Sequence, residues 1–359
     1  MKGQNNKLAY IFNVLVIILF TLMSGCAGIG GQWSIQNPYA DVDWENHQRH
    51  KANFHTHTTR SDGRETPEKV IDRYAGLGYS ILSLTDHDTY RTGRDRSHPE
   101  KHKTTWPWTV FNRNPDAIGM VAVEGNEISR RHHIGSYFND YGDANVRSEN
   151  RALEEIGSRG GLAVFLHPGR YRKSLQWYVD MYRYHPHLIG LEIFNQGDRY
   201  PKDRRTWDAI LTSIIHERPV WGFSNDDMHD PEVQLGRNWN IMLLPELSAE
   251  WVRKAMEQGT FFYVYQPDGP QGEPPPEIKS ITVDSSRGII HLQTTAYGRI
   301  AWISRGSIVH DGPLIELSKI RFLDAYLRVE VYGADQKSLV GTQPFRIHRK
   351  PTTNTVTGN

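Results

Sequence analysis

The chain has 359 residues, 38% hydrophobic and 23% charged, a balance that excludes both a disordered chain and a polytopic membrane protein. Lys+Arg 42 against Asp+Glu 41 leaves a net charge of +1, so no bulk excess points to a nucleic-acid coat or an acidic solvating segment. The single cysteine excludes internal disulfides and thiolate-rich metal sites, so any metal site has to be built from the 17 His together with Asp and Glu.

Lys2 and Lys7 precede an apolar run from Leu8 to Met23, which ends in Ser24-Gly25-Cys26-Ala27-Gly28. A basic start, a short apolar core and small residues at the end describe a secretory signal, and the core is short for a spanning helix. The cysteine directly after the small residues resembles a bacterial lipoprotein signal. That resemblance implies a signal peptide over 1–25, a lipid on Cys26 and anchoring to a membrane of the bacterial envelope. An ordinary cleaved signal and an uncleaved anchor are the alternatives. Residues 26–49, rich in Gly and poor in aliphatics, read as a tether.

From 50 to 265 strands and helices alternate. Apolar strand candidates are Ala52–His57, Tyr79–Thr85, Met120–Ile128, Leu162–His167, Leu188–Asn195 and Pro219–Asn225. Thr66-Pro67 predicts a helix start and Gly78 its end. In Asp203–Glu217 the residues Trp207, Ile210, Leu211, Ile214 and Ile215 form one apolar helical face, and Ser248–Gln258 reads as another helix. Such alternation predicts an α/β fold with parallel strands and outer helices, a barrel or a doubly wound sheet. Residues 266–276 are Pro/Gly-rich and read as a linker. Short strands from 277 to 349 predict a small β-sandwich-like domain, and 350–359 a disordered tail.

The chemistry gathers at strand ends. His55-Thr56-His57 closes the first strand candidate, and its two imidazoles share one side of an extended chain. Asp62 follows. Thr85-Asp86-His87-Asp88 closes the second, Glu127 the third with His132-His133 behind it, His167-Pro168-Gly169 the fourth, Glu192 to Asn195 the fifth, and Asp226-Asp227-Met228-His229 the sixth. Any one such histidine is most simply a core or surface imidazole. Six strand ends in register, two of them with i, i+2 pairs, point instead to convergent ligands on the C-terminal face of a βα fold. Imidazole and carboxylate donors without thiolate suit Zn, Mn or Fe, and the number of donors exceeds what one ion needs.

Taken in order, His-Thr-His, Ser-Asp-Gly, Thr-Asp-His-Asp, Gly-x-Glu-Ile-Ser, His-Ile-Gly, His-Pro and Asp-x-His resemble the PHP (polymerase and histidinol phosphatase) superfamily over about residues 51 to 265. The resemblance implies a distorted (β/α)7 TIM-like barrel holding two to three divalent metal ions. It implies His55, His57, Glu127 and Asp227 on the first ion; Glu127 bridging to a second with His133 and His167; and Asp62, His87 and His229 on a third. Asp86 and Asp88 are expected to orient imidazoles, and Glu192 is either such a carboxylate or a core-facing strand residue.

The expected activity is hydrolysis of phosphate esters by a metal-activated hydroxide, with Asp227, His229 and Arg170 as its principal residues. Arg60, Arg130 and Arg170 are candidates for holding the phosphate. The expected partners are a small phosphorylated substrate and, through Cys26, a membrane; no stable nucleic-acid partner is expected. The alternatives are a phosphodiesterase or nuclease acting on extracellular nucleotides, or a non-catalytic binding protein that keeps its metal site. The long segment Thr89–Ile118, with Trp106, Trp108 and Phe111, is either a substrate lid or a seal over the barrel mouth.

Overall fold

A computed structural model describes residues 33–88, 104–321, 323 and 325–349. The expected signal, Cys26 and the tail from 350 lie outside the described residues.

β1 (Trp33–Gln36) and β2 (Gln48–Asn53) open the described chain. α1 (Pro67–Gly76) has Pro67 in its first turn, where no amide hydrogen is needed, and Gly78 follows at φ +77°, matching the expected stop. Then come β3 (Tyr79–Leu82), β4 (Val121–Ala122), β5 (Gly125–Ile128), β6 (Ile134–Tyr137), α2 (Glu149–Ser158), β7 (Leu162–Phe165), α3 (Leu175–Tyr184), β8 (Leu188–Asn195), α4 (Lys202–Ile214) and β9 (Trp221–Asn225). They are followed by α5 (Pro231–Gln234), β10 (Asn238–Leu244), α6 (Ala249–Gln258) and β11 (Phe261–Tyr265). Beyond 277 lie β12 (Ile278–Asp284), β13 (Ile289–Thr294), β14 (Arg299–Ser304), β15 (Ser307–Asp311), β16 (Leu314–Glu316), β17 (Tyr326–Tyr332), β18 (Leu339–Thr342) and β19 (Phe345–Arg349).

The fold is mixed α/β, but its sheets do not close into the expected TIM-like barrel. One sheet runs β1-β19-β17-β18-β11-β10-β2-β3-β4, with β14 and β15 attached beside β17; a second runs β5-β6-β7-β8-β9; a third is β12-β13-β16. The break falls inside the strand predicted over Met120–Ile128. Its first part, β4, pairs with β3, whereas β5 pairs with β6. Gly125 sits at the close approach to β6: a Cβ there would lie 2.5 Å from the Ser136 carbonyl oxygen. The other departure is at β10 and β11, which run antiparallel and carry the sheet outward to β18. The isolated bridges Thr56↔Met228 and His87↔Glu127 join the two larger sheets beside the site.

The predicted face of α4 is the buried one: Trp207, Ile210, Leu211 and Ile214 pack with Phe165, Tyr182, Leu191 and Tyr263. Each such side chain contributes roughly 1.5–3 kcal/mol by leaving water. Residues 33–49 are held against the fold, since β1 pairs with β19 and Tyr39 donates to the Phe261 carbonyl. Only the part of the expected tether before 33 lies outside the described residues. Trp302 and Tyr326 are core residues, and Tyr332 is partly exposed. Of the segment Thr89–Ile118, the described part from 104 on buries Trp108 in the core against α1. No helix among the described residues is long and apolar enough to cross a membrane.

Candidate metal centre

Past the end of β2 the chain stays extended, so His55 and His57 point the same way. It is pinned to the turn after β9 by Asp227 N–H to His55 O and His57 N–H to Met228 O, both 2.9 Å. The loop from Thr58 to Gly63 folds back to bring Asp62 beside His57. Only glycine suits its end, because a Cβ on Gly63 would lie 2.6 Å from the His57 carbonyl. Asp86 clamps this loop, accepting from Thr58 N (2.8 Å), Thr58 Oγ1 (2.8 Å), Ser61 Oγ (2.7 Å) and Thr105 Oγ1 (2.6 Å). His167 and Asp227 hold left-handed backbone at φ +30° and +47°, a conformation that persists where the surroundings over-determine it.

All nine predicted ligands come together, forming four overlapping groups: His57/Asp62/His87/His229, His55/His57/Asp227, His55/Glu127/His167 and His87/Glu127/His133. His55 Nε2 lies 3.1 Å from His57 Nε2, 3.4 Å from Glu127 Oε2 and 3.2 Å from Asp227 Oδ1. His57 Nε2 lies 3.3 Å from Glu127 Oε2 and 3.0 Å from Asp227 Oδ1. Donors at about 2.0–2.1 Å around one tetrahedral ion are about 3.3 Å apart, so this donor set fits a divalent cation. Glu127 turns its other oxygen elsewhere: Oε1 is 2.5 Å from His133 Nδ1 and 3.2 Å from His167 Nε2. Asp62 faces His87 Nε2 at 3.4 Å and His229 Nε2 at 3.3 Å.

Electrostatics favour cations here. Burial would raise the carboxyl groups of Glu127, Asp227 and Asp62, but surrounding imidazoles outweigh it. His133, His87 and His55 hold Glu127 well below its usual range; His55, His57 and His229 do so for Asp227; His229 and His87 do so for Asp62. In return His229 is lifted to about 9, burial being outweighed by Asp62 and Asp227. His57 and His133 are lowered, chiefly by burial. Three ionised carboxylates in a largely buried site form a place that divalent ions can occupy in the stead of imidazolium charge.

Supporting side chains resolve several open assignments. Glu192, fully buried, accepts from His55 Nδ1 (2.8 Å), His167 N (2.9 Å), Asn195 Nδ2 (2.8 Å) and Asn225 Nδ2 (3.0 Å). It is an orienting carboxylate. Asp86 and Asp88 do not touch imidazoles, contrary to expectation. Asp86 binds hydroxyls and an amide; Asp88 accepts from Ser129, whose Oγ lies 2.7 Å from His87 Nδ1. Both ring nitrogens of His132 are engaged elsewhere, with the His133 carbonyl (2.9 Å) and Tyr178 Oη (3.0 Å), which leaves His133 to face Glu127.

A cavity of about 470 Å³ opens over the cluster, lined by Asp62, His87, Glu127, His133, His167, Asp227 and His229, with Ser129, Arg170, Gln196, Arg199 and Gln234. Arg170 thus stands at the rim. Arg60 and Arg130 do not line it: Arg60 lies over the Phe111 ring at 5.5 Å, and Arg130 is an exposed loop residue. Gln196 and Arg199 escaped the sequence reading. Their only signal was position, just after the fifth strand end.

No protein-family model matches the chain. Over about half its length it is similar to an uncharacterized protein of Methanocaldococcus jannaschii, 26% identical over 186 residues, covering 48% of this chain and 96% of that protein. It is also similar to the 5'-3' exoribonuclease Rnm of Escherichia coli, 22% identical over 261 residues (51% of this chain, 87% of the relative). The 5'-3' exoribonuclease of Haemophilus influenzae is 24% identical over 268 residues (54% and 95%). Among solved structures, a two-domain Bacteroides vulgatus protein containing a predicted PHP-like metal-dependent phosphoesterase superimposes with a TM-score of 0.54 at 17% identity, covering 87% of this chain and 98% of that one. The likeness establishes a shared fold.

Proposed function

On the premise of this PHP-like fold, we propose that the chain is a hydrolase of phosphate esters that works with two to three divalent metal ions, Zn, Mn or Fe. The observation that carries the reading is the divided use of Glu127: one oxygen faces His55 and His57, the other His133 and His167. His55, His57, Glu127 and Asp227 would hold one ion, Glu127 with His133 and His167 a second, and Asp62, His87 and His229 a third. When bound, such ions lower the pKa of water and neutralise charge on a phosphoryl group.

The chain's own residues complete the site. Arg170 and Arg199 at the rim offer planar guanidinium forks to the non-reacting phosphoryl oxygens. Buried His55, His57 and Glu127 form a floor closed to solvent. Asp227 stays ionised and therefore accepts rather than donates. His229 carries a proton on Nδ1, given to the Asp227 carbonyl at 2.9 Å, and turns Nε2 to Asp62. We also place the enzyme in the bacterial envelope, on the support of the basic, apolar and small-residue order ending at Cys26.

A second reading, cleavage of phosphodiesters in nucleic acid, is favoured by the relatives named 5'-3' exoribonucleases.

The test uses purified chain reloaded separately with Mn, Zn or Fe. Rates on an activated phosphomonoester and an activated phosphodiester are compared, with Asp227→Asn as control. Metal-dependent turnover that disappears in the variant is the expected result, and the ester preference chooses between the two readings. Full turnover in Asp227→Asn, or metal uptake without turnover on either ester, would overturn the assignment.

A further inference from the structure

The loop after β8 ties the rim of the cavity to one of the candidate ligands. Gln196 Nε2 donates to Asp227 twice, to Oδ2 and to the backbone carbonyl, each at 3.1 Å. Arg199 Nη1 donates to Gln196 Oε1 at 2.7 Å. A carboxamide has a donor end and an acceptor end. With its oxygen engaged by Arg199, the amide has only its NH2 end left for Asp227. That occupies Oδ2 and leaves Oδ1 for His57, His55 and His229, at 3.0, 3.2 and 3.5 Å.

The backbone supports the same arrangement. Gln196 and Asp227 both hold left-handed conformations, φ +45° and +47°. Each turn is pinned from outside: Asp227 N–H to the His55 carbonyl at 2.9 Å, and Gly197 N–H to Asn238 Oδ1 at 2.5 Å. Strained backbone at two residues that meet through a single amide marks a built contact. Arg199 itself is exposed at the rim and lies over the Tyr200 ring at 5.2 Å.

We infer that Arg199, acting through Gln196, is a positioning residue that sets which oxygen of Asp227 is presented to the imidazole cluster. The inference rests on the metal-hydrolase reading and deepens it. An anion drawn to the rim meets the same guanidinium that orients the ligand on the floor, so rim occupancy and ligand geometry are coupled.

The experiment measures Mn2+ affinity of the full chain by calorimetry in the absence of substrate, with thermal melting as a fold control and steady-state kinetics alongside. Gln196→Ala and Arg199→Ala are each expected to weaken Mn2+ binding about tenfold, the lower end of the effect of losing a partner that orients a ligand. Arg199→Lys, which keeps a donor for Oε1, is expected to recover most of that loss. Gln196→Ala is expected to lower kcat with little change in KM. Three results overturn the inference. One is Mn2+ affinity unchanged in both alanine variants; the second is Arg199→Ala raising KM alone; the third is melting temperatures that fall in step with the affinity. A wild-type chain that takes up no metal overturns the hydrolase reading itself, and so is told apart from these.

Discussion

Glu192 and His55, 137 residues apart, meet as a buried carboxylate and imidazole 2.8 Å apart. The carboxylate accepts, so Nδ1 carries a hydrogen and Nε2 is the ring nitrogen turned toward His57 and Asp227. Glu192→Gln would set an amide NH2 among the donors His167 N, Asn195 Nδ2 and Asn225 Nδ2. The variant is expected to lose roughly 10–100-fold in metal affinity. Titration against a chelator checks this; an affinity equal to the wild type would remove Glu192 from the site.

Gly169 lies between a candidate ligand, His167, and the rim residue Arg170. A Cβ at Gly169 would stand 2.3 Å from Asp203 Oδ1 and 2.7 Å from Tyr200 Cβ. Gly169→Ala therefore has to displace the loop or α4. A loss of about 1–3 kcal/mol in stability is expected from the overpacking, with turnover falling because His167 and Arg170 move together. Denaturant melts and kinetics on the same preparation measure both.

Asp203 makes stability fall with rising pH. Burial pushes its carboxyl up to about 8, partly opposed by the Gly169 N–H, and Oδ1 has no hydrogen-bond partner among the described residues. In the unfolded chain the group titrates near 3.9. Between these values the folded chain holds a proton that the unfolded chain releases. The contribution of Asp203 to stability therefore declines from about pH 4 to about pH 8, by at most roughly 1.4 kcal/mol per pH unit. Asp203→Asn is expected to flatten this part of the profile, gaining on the wild type as pH rises. Parallel melting curves that keep a constant gap between pH 4 and 8 would refute it.

A second buried polar cluster locks α4 to the outer strands. Arg328 grips Asp208 with Nε and Nη2, both at 2.9 Å, and reaches Glu330 at 2.6 Å and Tyr263 Oη at 3.1 Å. Removing one partner strands buried carboxylates. Arg328→Ala is thus expected to destabilise by about 3–5 kcal/mol, whereas replacing Arg328, Asp208 and Glu330 together by apolar residues of similar size is expected to be far milder. Chemical denaturation of the single and triple variants decides it.

The inventory of the site was legible in the sequence because it is written in local terms. An extended His-x-His places two imidazoles on one side, and Asp-x-His does the same for a carboxylate and an imidazole. The ends of α1 were legible for the same kind of reason, Pro67 in the first turn and Gly78 beyond the last. The four donors of those two motifs converge with the five that the family resemblance implied, Asp62, His87, Glu127, His133 and His167.

What only the tertiary structure decided is who meets whom across the chain. Nothing local distinguishes a strand that closes a barrel from one that splits, as Met120–Ile128 does between β4 and β5. Nothing local shows that Glu192 reaches His55, that Asp86 clamps a loop rather than an imidazole, or that Arg199 orients Asp227 through Gln196. Periodicity and spacing report on neighbours within a few residues. Strand register and the approach of one sheet to another are set by the packing of distant segments, and they determine which oxygen, nitrogen or guanidinium finally stands at the centre.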